Sequence, residues 1–247
     1  YKISGAKTGR VNFLKRCSPL LPGLFRTRYK RFFAEVKTSS NEILTLHCPN
    51  TGSMKNCMVN GSSCWYSLAG GKKKKLPGTL ELVSTEAGNL AGINSALANK
   101  IVQDGIRCGA IDGLSQYPIM RTEVRYGEEN SRIDILLEGP DKTCFVEVKN
   151  VTLDMGGGLA LFPDSVTSRG TKHLRELMRV RTLGYRAVLF FCVQINGIDR
   201  LGMASHIDAE YVRTLYHAID EGVEVMAWQC QQTQFASTLI SPIDLVF

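Results

Sequence analysis

A chain of 247 residues, 44% hydrophobic and 21% charged, holds enough apolar material for one large or two modest domains, and no run in it approaches the length of a membrane span. The net charge of +7 is unevenly placed: residues 1–83 carry fifteen Lys and Arg against three acids, and residues 84–247 carry fifteen against twenty. This layout disfavours an enzyme of small phosphate metabolites and suits a basic module that grips a polyanion, joined to a mildly acidic one that holds a metal.

Eight scattered cysteines, none in a C-x-x-C pair, read as reduced core thiols, so an intracellular, cytoplasmic setting is expected. The chain opens at Tyr1 rather than Met and is read as starting inside a longer product, from which any targeting peptide would already be gone.

Residues 1–20 read as an edge strand or an arm. From Arg28 to Phe33 bases and rings interleave, which predicts one strand; Arg28, Lys30 and Arg31 are candidate DNA contacts, and the rings are read as barrel core. Further strands are expected at Glu42–His47, Ser63–Leu68 and Thr79–Ser84, with the run Lys72, Lys73, Lys74 and Lys75 as a positive patch in the same basic module. His47, Cys48 and Cys57 match no common metal-site spacing and read as structural. Short strands, Gly and Pro turns and no long helix predict a small barrel of OB type over residues 1–84.

After Ser84 strands and helices alternate. Asn94 is placed to cap a helix running to about Ile106, and Met120–Tyr126 reads as a strand. Helices at Thr171–Leu183 and Asp208–Glu221 then flank a strand at Ala187–Val193, and a strand at Val223–Gln229 follows. The pattern predicts an α/β domain with a mixed sheet over residues 85–247.

Within it, Arg132–Glu138 and Thr143–Lys149 alternate with period two around Gly139-Pro140-Asp141-Lys142, the composition of a β-hairpin. Pairing Glu138 with Thr143 sets Ile133, Ile135 and Leu137 opposite Val148, Val146 and Cys144 on an apolar face. The other face then pairs Asp134 with Glu147 and puts Arg132 beside Lys149. Facing carboxylates repel unless a cation lies between them, and a divalent metal would supply it. Lys149 brings an ammonium to the same spot, where it would hold an attacking water or stabilise charge on a phosphate. Asp, twelve residues, then Glu-Val-Lys is what a metal-dependent phosphodiesterase needs, although Glu-x-Lys is also ordinary surface charge. Gly156-Gly157-Gly158 suits a flap or a plain turn, and Arg169, Lys172 and His173 gather at a helix N-terminus as candidate phosphate contacts.

Several ordered blocks carry a resemblance. Arg28-Tyr29-Lys30-Arg31-Phe32, His47-Cys48-Pro49-Asn50-Thr51-Gly52-Ser53-Met54, Ser131-Arg132-Ile133-Asp134, Val146-Glu147-Val148-Lys149, Phe162-Pro163-Asp164 and Lys172-His173-Leu174-Arg175-Glu176-Leu177 are similar to signature blocks of the sugar fermentation stimulation protein A (SfsA) family. The resemblance implies an N-terminal OB-like DNA-binding barrel followed by a domain with the PD-(D/E)XK nuclease fold, in a family linked to regulation of sugar, notably maltose, metabolism. It further implies Asp134 and Glu147 as ligands of Mg²⁺ or Mn²⁺, Lys149 as the catalytic lysine and Glu123 as a weaker upstream acid. Two functions follow: a DNA-binding phosphodiesterase, or a DNA-binding regulator that keeps the nuclease fold without cutting. DNA is the expected partner, no membrane is, and a homo-oligomer is left open.

Overall fold

The computed structural model describes residues 13–16, 18–70, 75–129, 131–140 and 142–246. The first part of the chain contributes β1 (Phe13–Lys15), β2 (Leu21–Tyr29), β3 (Phe33–Thr38), β4 (Ile43–His47), β5 (Ser63–Leu68), β6 (Gly78–Ser84) and β7 (Leu90–Gly92). Then come α1 (Ser95–Arg107), β8 (Ile119–Tyr126), β9 (Ser131–Glu138), β10 (Thr143–Val151), β11 (Leu153–Asp154) and β12 (Leu159–Phe162). The chain finishes with α2 (Ser168–Thr182), β13 (Arg186–Val193), β14 (Arg200–Met203), α3 (Ala209–Asp220), β15 (Glu224–Gln232), β16 (Ala236–Pro242) and β17 (Asp244–Val246).

Strands β2 to β6 form a barrel closed by the pairing of His47 in β4 with Thr79 in β6, and β7 extends its sheet beside β6. Closure removes free edges, and alternation fills the inside: Ala34, Val36 and Leu46 are buried while Glu35, Lys37 and Thr45 turn outward. The stretch expected as one strand from Arg28 to Phe33 is instead a hairpin corner. Lys30 and Arg31 have φ of 48° and 61°, a left-handed turn that lets β2 and β3 pair back to back.

The second domain is a seven-stranded mixed sheet, ordered β1-β16-β15-β13-β10-β9-β8, with helices on both faces. The parity of β13 shows how it is built. Val188, Phe190 and Cys192 pack toward Ile101 and Val102 of α1, while Leu189, Phe191 and Val193 pack toward α2 and α3 through Leu174, Leu177 and Leu215. A four-stranded sheet, β11-β12-β14-β17, flanks this core. β1 pairs with β16 at the end of this sheet, so the described part of the segment expected as an edge strand or an arm is an edge strand, in the second domain's sheet. Gly156, Gly157 and Gly158 all have positive φ and make the tight turn between β11 and β12, not a flap over the cleft described below.

The domains share one hydrophobic cluster, which runs from Phe25, Val36 and Leu46 in the barrel to Leu174 and Tyr211 on the helices. Polar bonds fasten the same joint: Cys57 Sγ–H donates to the Thr152 carbonyl at 3.2 Å and Asn56 Nδ2 to that of Asp154 at 2.7 Å. Among the described cysteines none is disulfide-bonded, and all but Cys108 are buried. No helix among the described residues is long and apolar enough to cross a membrane.

Candidate active site

The hairpin register predicted from the sequence holds for Glu138–Thr143, Leu137–Cys144, Leu136–Phe145 and Ile135–Val146, and then the strands part. Asp134 is the reason. Its Oδ2 accepts the Val148 N–H at 2.8 Å, so a side-chain carboxylate takes a ladder donor. The neighbouring β8–β9 ladder drops the Glu123–Asp134 pair at the same point, where Glu123 has φ of 54°. Two expectations are corrected by this splay. Ile133 packs with Leu136 in the α2-side cluster rather than with Ile135 and Leu137, and Asp134 is not paired directly across from Glu147.

Parity nevertheless delivers Glu147 and Lys149 to one place. Cys144, Val146 and Val148 face α1, so the odd-numbered residues between and beyond them face α2, where His173 waits on the inner side of the helix. Lys149 Nζ donates to Glu147 Oε1 at 2.7 Å, and His173 Nδ1 makes a short hydrogen bond to the same oxygen. Arg169 Nε donates to His173 Nε2 at 3.3 Å. A guanidinium N–H can only donate, so Nε2 is the acceptor and the imidazole proton sits on Nδ1, aimed at Glu147.

The two acids live in opposite electrostatic conditions. Burial works against charge on Glu147, which is 2% exposed, but Lys149 and His173 outweigh it and hold its pKa below the ordinary carboxylate range. Asp134 is pushed up to about 6, first by burial and then by the negative charge of Glu147, against the Val148 N–H, Lys149 and the Asn99 side chain, which donates to Oδ1 at 2.7 Å. Glu147 Oε2 is buried and has no partner. Glu176 Oε2 is in the same condition, but it lies outside the cleft, against the Gly127 turn.

Asp134, Glu147, Lys149, Arg169 and His173 line one cleft of about 380 Å³. The facing wall is Asn50, Thr51 and Gly52 from the barrel, with Ser95 and Asn99 from the start of α1. Asp164 draws the walls together by accepting the Met54 N–H at 3.0 Å and the Ser53 hydroxyl at 3.2 Å. A Cβ on Gly52 would stand 2.7 Å from Asp164 Oδ2, so glycine is needed for this approach.

The other residues singled out in the sequence take different places, and not all of them reach the cleft. Glu123 is exposed and does not line the cleft, which removes it from the donor set. His173 is buried against Glu147, so it positions a carboxylate instead of meeting a phosphate. Arg28 spends its guanidinium on carbonyls, those of Asn50 at 2.6 Å, Gly52 at 3.0 Å and Arg31 at 3.0 Å, and so holds the cleft lip. Lys172 Nζ bonds the Glu129 carbonyl. Lys30, Arg31 and Lys75 are exposed, and Lys72, Lys73 and Lys74 lie outside the described residues. Sequence reasoning missed Asn99, a neutral residue with no motif to mark it, and gave Asn50 no role although it lies in the His47–Met54 block.

Among the described residues no cluster of three or more His, Cys, Asp and Glu side chains is arranged to hold a metal. The two carboxylates still fit a divalent cation: one has a buried oxygen without a donor, and the other has its ionised form disfavoured by burial and then by its neighbour's charge.

Residues 27–93 match the family profile described as the SfsA N-terminal OB domain, and residues 96–235 match the one described as the sugar fermentation stimulation protein RE domain. A sugar fermentation stimulation protein homolog of Saccharophagus degradans is 51% identical over 210 residues, 85% of this chain and 90% of that one. One of Teredinibacter turnerae is 53% identical over 209 residues, 85% of this chain and 89% of that one. Pyrococcus furiosus SfsA, solved in complex with Ca²⁺, superposes with a TM-score of 0.86 at 25% identity, covering 96% of this chain and all of that one. With the closed barrel, the mixed α/β domain and both profiles in the expected order, the chain belongs to the sugar fermentation stimulation protein (SfsA) family.

Proposed function

We propose that the cleft is a divalent-metal-dependent phosphodiesterase centre that acts on DNA delivered by the basic barrel. The observation that carries this reading is the unpartnered, buried Oε2 of Glu147 beside the disfavoured charge of Asp134. At a cleft open to solvent, a bound cation would relieve this cost. Asp134 and Glu147 would hold Mg²⁺ or Mn²⁺, and the Ca²⁺ complex of the Pyrococcus furiosus relative supports a hard divalent cation. When bound, such an ion supplies Lewis-acid polarisation of a phosphoryl oxygen and neutralises its charge.

The chain's own residues supply the rest. His173 fixes the Glu147 carboxylate by donating from Nδ1, and Asn99 fixes Asp134. Lys149, only 14% exposed at its side chain, holds an ammonium at the cleft floor, placed to orient water or to meet charge growing on the phosphate. Arg169, exposed at the rim, adds a cation for the flanking phosphate.

A second reading, a DNA-binding regulator that does not cut, is favoured by one observation: Lys149 Nζ is already engaged by Glu147 at 2.7 Å. One assay separates them. Incubation of single-stranded, duplex and branched DNA with Mg²⁺ or Mn²⁺ is expected to give cleavage that falls at least about 10²-fold in Lys149→Ala. Metal-dependent DNA binding without cleavage by the intact protein would leave the regulator.

A further inference from the structure

We infer that the outer face of the barrel is a stacking platform for unpaired bases, which makes the substrate of the neighbouring cleft a nucleic acid with a single-stranded stretch rather than an intact duplex. The inference rests on the reading above for the identity of the polymer, and on separate observations for its form.

In the β2–β3–β4 ladder, Tyr29 is the partner of Phe33 and Phe33 is the partner of His47. Direct cross-strand neighbours share a face, so three rings lie in one row across three strands. The row is open to solvent: Tyr29 is 38% exposed, Phe33 half-buried and His47 exposed. Tyr29 and Phe33 already stack, with ring centroids 5.4 Å apart. Phe32, at the hairpin corner beside this row, is 48% exposed. Rings expected from the sequence to be barrel core are therefore on the surface, where they cost hydrophobic free energy and contribute no packing inside.

The chemistry around them selects the partner. Lys30 and Arg31 are exposed on the same corner as Phe32, so the row carries cations at one end and suits a polyanion that also presents flat apolar faces. A lipid brings charge without flat faces, whereas a nucleic acid carries a phosphate and a flat base in every unit. In a duplex the base faces are consumed by stacking, whereas in a single strand each is free for an aromatic side chain.

The platform also meets the cleft. Arg28 bonds the Arg31 carbonyl at the corner and the Asn50 and Gly52 carbonyls at the cleft lip with the same guanidinium. The Cys48 N–H donates to the Phe32 carbonyl at 2.7 Å, which ties the corner to the segment that leads from His47 to Asn50. A strand laid on Tyr29, Phe33 and His47 thus lies beside the lip of the cleft that Arg169 and Lys149 line.

The test is binding, measured in a Lys149→Ala background so that cleavage does not enter. Fluorescence anisotropy with a labelled oligothymidylate and with a blunt duplex of equal length gives both affinities at several salt concentrations. Tyr29→Ala and Phe32→Ala are each expected to weaken the oligothymidylate about tenfold, to leave the duplex unchanged and to preserve the salt slope. Phe32→Leu keeps the apolar bulk and removes the ring, and is expected to behave like Phe32→Ala. Equal losses on both substrates, or full affinity in Phe32→Leu, would overturn the platform. Binding of oligothymidylate in this way, together with no cleavage by the wild-type protein in Mg²⁺ or Mn²⁺, would defeat the phosphodiesterase reading and leave the platform standing.

Discussion

The molecule buries acids in two neighbouring regions and treats them differently. At the domain joint, Asp154 is 1% exposed, yet every oxygen has a donor: Thr85 at 2.6 Å and Asn89 at 2.9 Å on Oδ2, the Gly156 N–H at 2.9 Å on Oδ1, and Asn56 at 2.7 Å on its carbonyl. At the cleft floor, Glu147 is as deeply buried but leaves Oε2 bare, and Asp134 is pushed up to about 6 by burial and by Glu147. Burial alone does not mark a functional acid. What distinguishes the floor is a donor count that falls short in a place open to a ligand.

The contrast can be broken at the joint first, where the largest effect is expected. Asp154→Ala strands the buried hydroxyl of Thr85 and the part-buried donors of Asn89 and Gly156, and is expected to cost about 3 kcal/mol and lower Tm by about 10 °C. Thermal unfolding followed by circular dichroism measures it. A near-neutral result would mean that the joint's acid is no better placed than the floor's.

At the floor the sign is reversed. The folded-state pKa of Asp134 lies above that of an unfolded Asp, so the folded form takes up a proton more readily. Its contribution is therefore complete below pH ~4 and is lost as pH rises through about 6. In metal-free protein, Asp134→Asn is expected to match the wild type near pH 4 and to be more stable by about 2 kcal/mol at pH 7. Millimolar Mg²⁺ or Mn²⁺ should close this gap by stabilising the wild type alone. Paired melts across pH decide the matter; a pH-independent difference would show that Asp134 is as well satisfied as Asp154.

What the sequence could show of these regions follows from the range of the interactions. The period-two alternation of 135–138 against 143–146 depends on neighbours only, so the hairpin and its register were legible, as were the helices that begin after Asn94 and Asp208. Asn94 holds the cap position, but its side chain accepts nothing from the helix N–H groups and donates to Glu81, a partner no local pattern reveals. The splay at Asp134 replaces a backbone bond with a side-chain bond, and hydrophobic periodicity carries no record of that. His173 meets Glu147 only because α2 folds over the sheet, and nothing in the spacing of the two residues announces it. The corner at Lys30 and Arg31 was missed because neither residue is the Gly or Asn that left-handed backbone favours. Strands of two to four residues such as β11, β12 and β14 are too short for alternation to register.

Arg28 gives the smallest and most discriminating effect, because it holds the lip of the cleft and bonds neither acid. Among bases it looks in sequence like a phosphate contact, but its donors are committed to the carbonyls of Arg31, Asn50 and Gly52. Arg28→Ala is therefore expected to cost about 1 kcal/mol of stability by loosening the lip, and to weaken DNA binding modestly through misplacement of the wall. Its salt dependence should stay that of the wild type, since no counterion-releasing contact is lost. Arg31→Ala, by contrast, removes an exposed cation and should lower the slope of log K against log salt by about 0.9 for a duplex and about 0.7 for a single strand. The two slopes, measured side by side, separate a residue that builds the site from one that meets the nucleic acid. If Arg28→Ala also lowers the slope, its guanidinium leaves the carbonyls when DNA arrives, and the lip is held by the polymer rather than for it.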